Sequence, residues 1–385
     1  MSDQSDATAR AVEAMLGGSA AKLPIADLDT PVLLVERDKL ERNIKRMQEV
    51  AAKAGIAYRP HAKAHKSSTI AALQIAAGAV GQCCAKLGEA EVMAHCGVND
   101  ILITSEVVGR GKLMRLIELA NAARIAVVAD DAGNIQDLAR VAQTAGTRLD
   151  VLVEVDVGQG RCGVRPGPEA AVLAQQIADS RWLRFRGLQG YQGAIQMVAT
   201  LAERRAKVKD ALDRLLETAE HVRKRGLAIE ALTGGGTGSS VIDCALHGLT
   251  ELQPGSYIFM DSKYAAIEWD GAPRPPFENA LFVLGTVISR PGKDRAIVDV
   301  GMKAASSDGG PILPIDLPGA SFAFAGDEHG QLSFAGSPCP LEIGDKVWFV
   351  PSHCDTTVNL YDRYVAVRAG LVEEVWDIEA RGRVQ

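Results

Sequence analysis

From Thr30 onward the chain alternates short apolar or β-branched runs with longer stretches of helical period. This alternation limits its fold more than any other feature. Strand candidates fall at 32–35, 57–60, 80–84, 101–104, 125–129, 149–155, 185–191, 229–233 and 251–259. Helical patterns at 38–54, 112–122, 134–145, 169–178 and 201–225 lie between them. Strands and helices that alternate at this spacing build βαβ units with parallel strands. Eight or so such units in ~230 residues suit a closed (β/α)8 barrel better than an open doubly wound sheet.

Near Asp261 the texture changes. Helical runs stop, Pro and Gly cluster at 271–276, and short β-type runs follow at 281–289, 296–300, 321–324, 346–350 and 363–367. The fold class read from this is α/β: a (β/α)8 TIM-like barrel followed by an all-β domain. The expected divisions are a lead-in at 1–28, the barrel at 29–262 and the β-domain at 263–385.

Composition narrows the partners. Lys plus Arg number 42 and Asp plus Glu 48, a net charge of −6, so no basic footprint for nucleic acid or anionic membrane is present. The polar start and the lack of a long apolar run predict a soluble, cytoplasmic protein. Seven cysteines without a CxxC pair predict reduced thiols rather than a disulfide framework or zinc knuckle.

Four segments can carry chemistry. The first is RPHAKAHK at 59–66, just after an early strand, where barrel enzymes place their catalytic groups. In extended backbone, Arg59, His61, Lys63 and His65 would share one face and suit an anionic ligand. A lysine among cations and partly desolvated is expected to have a lowered pKa and to act as a nucleophilic amine. A solvated basic loop is the plain alternative. The second segment, TGGGTGS at 233–239, lets main-chain N–H groups converge on a phosphate. It fails the dinucleotide pattern, because Gly234 and Gly236 would need a third glycine where Ser239 stands. A tight turn is the alternative here, and Ser256 and Tyr257 at a later strand could add donors. In the third, the glycine-flanked Arg161 could approach an anion closely or pair with Asp156 or Glu154. The fourth is PSHCD at 351–355. In a strand, His353 and Asp355 would face one way with Cys354 opposite, giving either a ligand pair for a divalent metal or a local hydrogen bond. The 327–329 stretch DEH is a weaker candidate and reads as a polar loop.

Taken in order, these pieces resemble the metal-activated D-threonine aldolases, which share the alanine-racemase fold type of pyridoxal-phosphate enzymes. The resemblance runs from Asp29 nearly to the end. It is carried by RPHAKAHK (59–66), DVLVEVDVGQGRCGV (150–164), GLQGYQG (187–193), TGGGTGS (233–239), ELQPGSYIFMD (251–261) and PSHCDTTVNLYD (351–362). It implies pyridoxal 5'-phosphate as cofactor and Lys63 as the Schiff-base lysine. It implies Arg161 and Tyr191 at the cofactor ring and substrate, His61 and Arg161 as catalytic residues with Lys63, and Thr233, Gly235, Gly236, Thr237, Ser256 and Tyr257 at the phosphate. His353 and Asp355 would hold a divalent metal, with Mn²⁺ favoured over Mg²⁺ or Co²⁺. It further implies a homodimer and a first strand near Val32 that joins the β-domain. One departure is Ala85 after the cysteine pair, where relatives often carry Gln.

The activity implied is a lyase reaction, in which a 3-hydroxy-D-amino acid is cleaved to glycine and an aldehyde. Three alternatives stand beside it. A β-hydroxyaspartate aldolase would want extra cations, with Arg59 or His65 as candidates. A D-serine or 3-hydroxyaspartate dehydratase is expected to carry His-x-Cys where this chain has His-x-Asp. A non-enzymatic pyridoxal-phosphate carrier needs no metal-bearing β-domain.

Overall fold

In the computed structural model, residues 23–270 and 275–385 are described. Most of the expected lead-in and part of the Pro/Gly cluster therefore lie outside the described residues. Strand β1 (Val32–Glu36) comes first. Eight parallel strands follow: β2 (Ala57–Tyr58), β3 (Gln82–Cys84), β4 (Asp100–Ile103), β5 (Arg124–Ala129), β6 (Leu149–Glu154), β7 (Leu183–Gly190), β8 (Ala231–Gly234) and β9 (Glu251–Leu252). They are ordered β2-β9-β8-β7-β6-β5-β4-β3. A parallel bridge between His61 and Cys83 joins the two ends and closes the barrel.

Helices α1 (Arg37–Ala54), α2 (Ser68–Ala76), α3 (Leu87–His95), α4 (Arg110–Ala122), α5 (Ala132–Ala145), α6 (Pro168–Asp179), α7 (Leu201–Lys224) and α8 (Ser240–Leu246) accompany these strands. Helix α1 buries an apolar stripe of Leu40, Ile44, Met47 and Ala51. The barrel strands are covered on both faces and so read as unbroken apolar runs, as in RIAVVA of β5.

The rest of the chain forms β10 (Leu281–Gly292), β11 (Arg295–Val298), β12 (Leu313–Pro314), β13 (Ala320–Phe324), β14 (Gly330–Phe334), β15 (Lys346–Val350), β16 (Arg363–Arg368) and β17 (Leu371–Asp377). Two short helices, α9 (Ser262–Ala266) and α10 (Cys354–Val358), interrupt the region expected to be purely β. Strand β1 pairs antiparallel with β10 and parallel with β16, so the first strand belongs to this second sheet, as the resemblance implied. Leu34 of β1 packs there with Phe282, Leu284, Val365 and Val367.

The last barrel strand is shorter than expected. Pairing ends at Leu252, and the chain then coils through a 3-10 turn at Ser256–Ile258. Pro254 lacks a donor and cannot continue the ladder. The reading missed β12, which is only the two residues Leu313–Pro314, and β14 and β17, whose polar or charged residues interrupt the apolar run.

Candidate active site

A cavity opens at the C-terminal ends of the barrel strands, where (β/α)8 proteins assemble their sites. Its wall takes His61 and Lys63 after β2, Ala85 after β3, Thr104 and Ser105 after β4, and Arg161 after β6. Gln189 and Tyr191 come from β7 and its end, Gly236 and Thr237 from the loop after β8, and Gln253, Gly255 and Ser256 from the loop after β9.

The expected shared face of RPHAKAHK does not form. Arg59 is 2% exposed and reaches away to Glu251 (3.0 and 3.2 Å) and Asp100 (2.6 Å). Breaking a buried pair of this kind costs about 3–5 kcal/mol, so Arg59 ties the barrel together instead of meeting a ligand. After His61 the chain turns into a 3-10 helix (Ala62–Ala64), and His65 is fully buried, its ring held neutral by burial with a pKa of about 4. The i, i+2 argument holds only for extended backbone, which ends at His61. Arg59 and His65 are thus not available as extra cations for a β-carboxylate.

Lys63 keeps a 38% exposed side chain in the cavity, and its Nζ is bonded to Asp355 Oδ2. Burial alone would lower the amine's pKa, but the Asp355 charge, Tyr191 and the Asp355 hydrogen bond together raise it. The expectation of a lowered lysine pKa is therefore reversed in this state, because a carboxylate, not a further cation, faces the amine. Asp355 moves the opposite way: burial opposes its charge, but Lys63 holds the carboxyl below its usual range. His61 is kept neutral, its pKa far below normal, by burial first and then by the Lys63 charge. Its Nδ1 accepts from the Lys63 main-chain N–H (3.4 Å) and its Nε2 lies 3.0 Å from Thr104 Oγ1. Both ring nitrogens are used, which makes His61 a brace for the lysine turn.

Arg161 lies over the Tyr191 ring, 5.5 Å from its centroid. Asp156 instead accepts from the N–H groups of Gly158 and Gly160, both at 3.0 Å. Gly163 at φ +108° is obligatory, because a Cβ there would lie 2.5 Å from Asp156 N.

In the glycine loop, Gly236 and Thr237 line the cavity, but Thr233 and Gly235 stand behind it. Thr233 Oγ1 donates to Glu251 (3.3 Å), and Gly235 packs on Asp243. A Cβ on Gly238 would sit 2.0 Å from Gln196 O, so that glycine serves chain packing, not ligand approach. Tyr257 sends its ring into the core, where its hydroxyl accepts from Gln74 (3.0 Å), and its N–H donates to Thr237 Oγ1 (3.0 Å). Ser256 Oγ donates to Asp355 Oδ1 (3.2 Å).

His353 and Asp355 do not lie on a strand. β15 ends at Val350, His353 is the N-cap of α10, and Asp355 lies in its first turn. Asp261, which the sequence reading did not single out, joins this segment to the barrel. It caps α9 through the Lys263 and Tyr264 N–H groups (3.1 and 2.9 Å) and accepts from Cys354 N (3.4 Å). Ser262 N–H also donates to Pro351 O (3.0 Å). The Asp-Ser-Lys N-cap pattern at 261–263 was the signal that could have found it. Among the described residues, no group of three or more His, Cys, Asp and Glu that could hold a metal is present. The 327–329 stretch is a surface turn in which Glu328 pairs with Lys303 (2.6 Å).

Beneath the cavity, Gln253 Nε2 donates to Gln189 Oε1 (2.9 Å) and Gln189 Nε2 donates to Glu154. Burial, then repulsion from Glu106, pushes the Glu154 carboxyl up to about 8, so it is protonated at neutral pH. An unfolded chain releases that proton near 4.5, so the native state binds more protons between the two values and stability falls as pH rises through this window. Glu154→Gln, which mimics the neutral acid, is expected to flatten this slope. Urea midpoints at pH 5 and 7.5 check it: a variant with the parent's slope would refute the assignment.

A barrel-mouth cavity with a lysine amine, an arginine braced on a tyrosine and a glycine/hydroxyl loop defines the class of lysine-bearing barrel enzymes. Residues 35–263 match the family model described as alanine racemase, N-terminal domain, and residues 280–367 match a putative serine dehydratase domain. The chain belongs to this alanine-racemase-like family, on the D-threonine aldolase side of it. It is 44% identical to the D-threonine aldolase of Arthrobacter sp over 93% of this chain and 94% of that one. It is 40% identical to a 3-hydroxy-D-aspartate aldolase of Paracoccus denitrificans over 93% of each. The crystal structure of D-threonine aldolase from Filomicrobium marinum superimposes with a TM-score of 0.92 at 43% identity, covering 95% of this chain and all of that one.

Proposed function

We propose that the protein is a lyase that cleaves 3-hydroxy-D-amino acids, D-threonine among them, to glycine and an aldehyde, using pyridoxal 5'-phosphate and a divalent metal, with Mn²⁺ favoured. One observation carries this reading: the Lys63 amine of the barrel, which lines the cavity, is bonded to the Asp355 carboxylate of the β-domain. The donor set fits the cofactor. Lys63 offers the attaching amine, Arg161 on Tyr191 a cationic wall, and Gly236, Thr237, Gly255 and Ser256 the phosphate end. His353 and Asp355, one imidazole and one carboxylate, are a donor set for a weakly held cation.

Pyridoxal phosphate, when bound, supplies an electron sink for charge left at the substrate Cα. A divalent cation lowers the pKa of a hydroxyl bound to it. The chain's part is positioning. Asp355, joined to the cavity residues Lys63 and Ser256, would hold the cation together with His353, and Arg161 in the cavity wall faces the anionic substrate. His61 and Thr104 fix the lysine turn. The 3-hydroxyl loses its proton, the Cα–Cβ bond breaks, its electrons pass to Cα and a proton is delivered there. The absence of a free arginine beyond Arg161 among the cavity-lining residues favours a neutral β-substituent over a β-carboxylate. A cytoplasmic homodimer belongs to the same reading.

Incubation with D-threonine, L-threonine, D-serine or D-3-hydroxyaspartate, with Mn²⁺ and cofactor, tests it. Glycine and acetaldehyde from D-threonine alone among the two threonines is the expected result. Ammonia from D-serine, without glycine from D-threonine, would make the protein a dehydratase.

A further inference from the structure

The β-domain loop 306–310 is fastened onto the segment that carries His353. Asp308 Oδ2 lies 2.6 Å from His353 Nδ1. Its Oδ1 accepts from Ser306 Oγ (2.7 Å) and Thr356 Oγ1 (2.9 Å). Ser352 Oγ donates to Gly310 O (2.9 Å), and the Ser306 N–H donates to Thr357 Oγ1 (3.2 Å). The fit is close: a Cβ on Gly309 would lie 2.6 Å from Ser352 Oγ.

A carboxylate only accepts, so this contact requires hydrogen on His353 Nδ1. In the neutral ring the lone pair is then on Nε2. Asp308 is itself held in place by two hydroxyls, which leaves its Oδ2 aimed at the ring. An outer carboxylate of this kind orients a metal-binding imidazole and strengthens it as a ligand. Asp308 is 47% exposed, so the pair adds little to stability.

We propose that Asp308 is a positioning residue that fixes the tautomer and orientation of His353, so that Nε2 is presented as a cation ligand. This rests on the reading that His353 and Asp355 hold a divalent metal. The test uses full-length, cofactor-loaded protein, stripped with chelator and dialysed, then titrated with Mn²⁺ while free Mn²⁺ is followed by electron paramagnetic resonance.

Asp308→Asn and Asp308→Ala are expected to weaken Mn²⁺ binding about 10–100-fold, with urea midpoint and cofactor absorbance unchanged. His353→Ala is expected to abolish saturable binding. Should both Asp308 variants bind like the parent while His353→Ala does not, the proposal fails and the metal reading survives. If His353→Ala also binds like the parent, the metal reading fails first. The near-isosteric Asp308→Asn decides the case if Asp308→Ala folds poorly.

Discussion

Lys63→Ala is expected to fold, to lose the visible absorbance of bound cofactor, and to lose turnover of D-threonine by about 10³-fold or more, as enzymes do when a covalent nucleophile is removed. Among the described residues that line the cavity the lysine is the only primary amine; it follows β2, the first barrel strand, and its turn is held by His61 and Thr104 independently of its own head group. Truncation therefore leaves the turn intact and removes the amine. A competing account makes Lys63 only the counter-ion of Asp355, to which it is bonded. Lys63→Arg separates the two: it keeps the charge beside Asp355, but a guanidinium is not a nucleophile at accessible pH. Both variants should be equally inactive and colourless. Absorbance spectra and a glycine assay on the pair decide, and an arginine variant with a tenth of parent turnover would sink the covalent role.

Much of this arrangement could be read from the residues, and the rest resisted for definable reasons. Barrel strands such as β5 were found because burial on both faces makes residues 125–129 a continuous apolar run. Lys63 and Arg161 drew notice as candidates because they follow such runs, Tyr191 entered through the family resemblance, and all three line the cavity. Strand β1 looked the same as a barrel strand by pattern, and only its pairing with β10 and β16 assigns it to the other sheet. The faces of Arg59 and His65 were misjudged because a period-2 argument was carried across a turn. Part of the glycine loop was misread as well. Gly238 is required by the Gln196 carbonyl, which lies 42 positions away in sequence and leaves no local trace. Asp308 was missed for the same reason, since its partner His353 is 45 positions on. Contacts at such separations come from topology, and no local pattern encodes them.

Asp355→Asn is expected to separate two proposed properties of the parent, its cofactor uptake and its response to metal. On the proposed reading Asp355 has two claimants, the Lys63 ammonium to which it is bonded and a divalent cation, and one carboxylate cannot fully serve both. The amide removes the charge that overrides burial at Lys63, so the lysine pKa should fall toward the direction burial alone dictates. More of the amine is then neutral at pH 7, and cofactor uptake should be as fast as in the parent or faster. Metal dependence goes the other way. An amide is a weaker cation ligand than a carboxylate, and Mn²⁺ stimulation should drop by at least about 10²-fold, the upper range for losing even an outer partner of a metal ligand. Chelator should then have no further effect on the variant. Stopped-flow cofactor uptake and Mn²⁺ titration of glycine release measure the two halves separately. Slower uptake with full Mn²⁺ response would make Asp355 a counter-ion alone. Faster uptake with no Mn²⁺ response is what a ligand that also restrains the lysine must give, and it explains why Ser256 holds the second Asp355 oxygen: the carboxylate stays in place when the lysine leaves it.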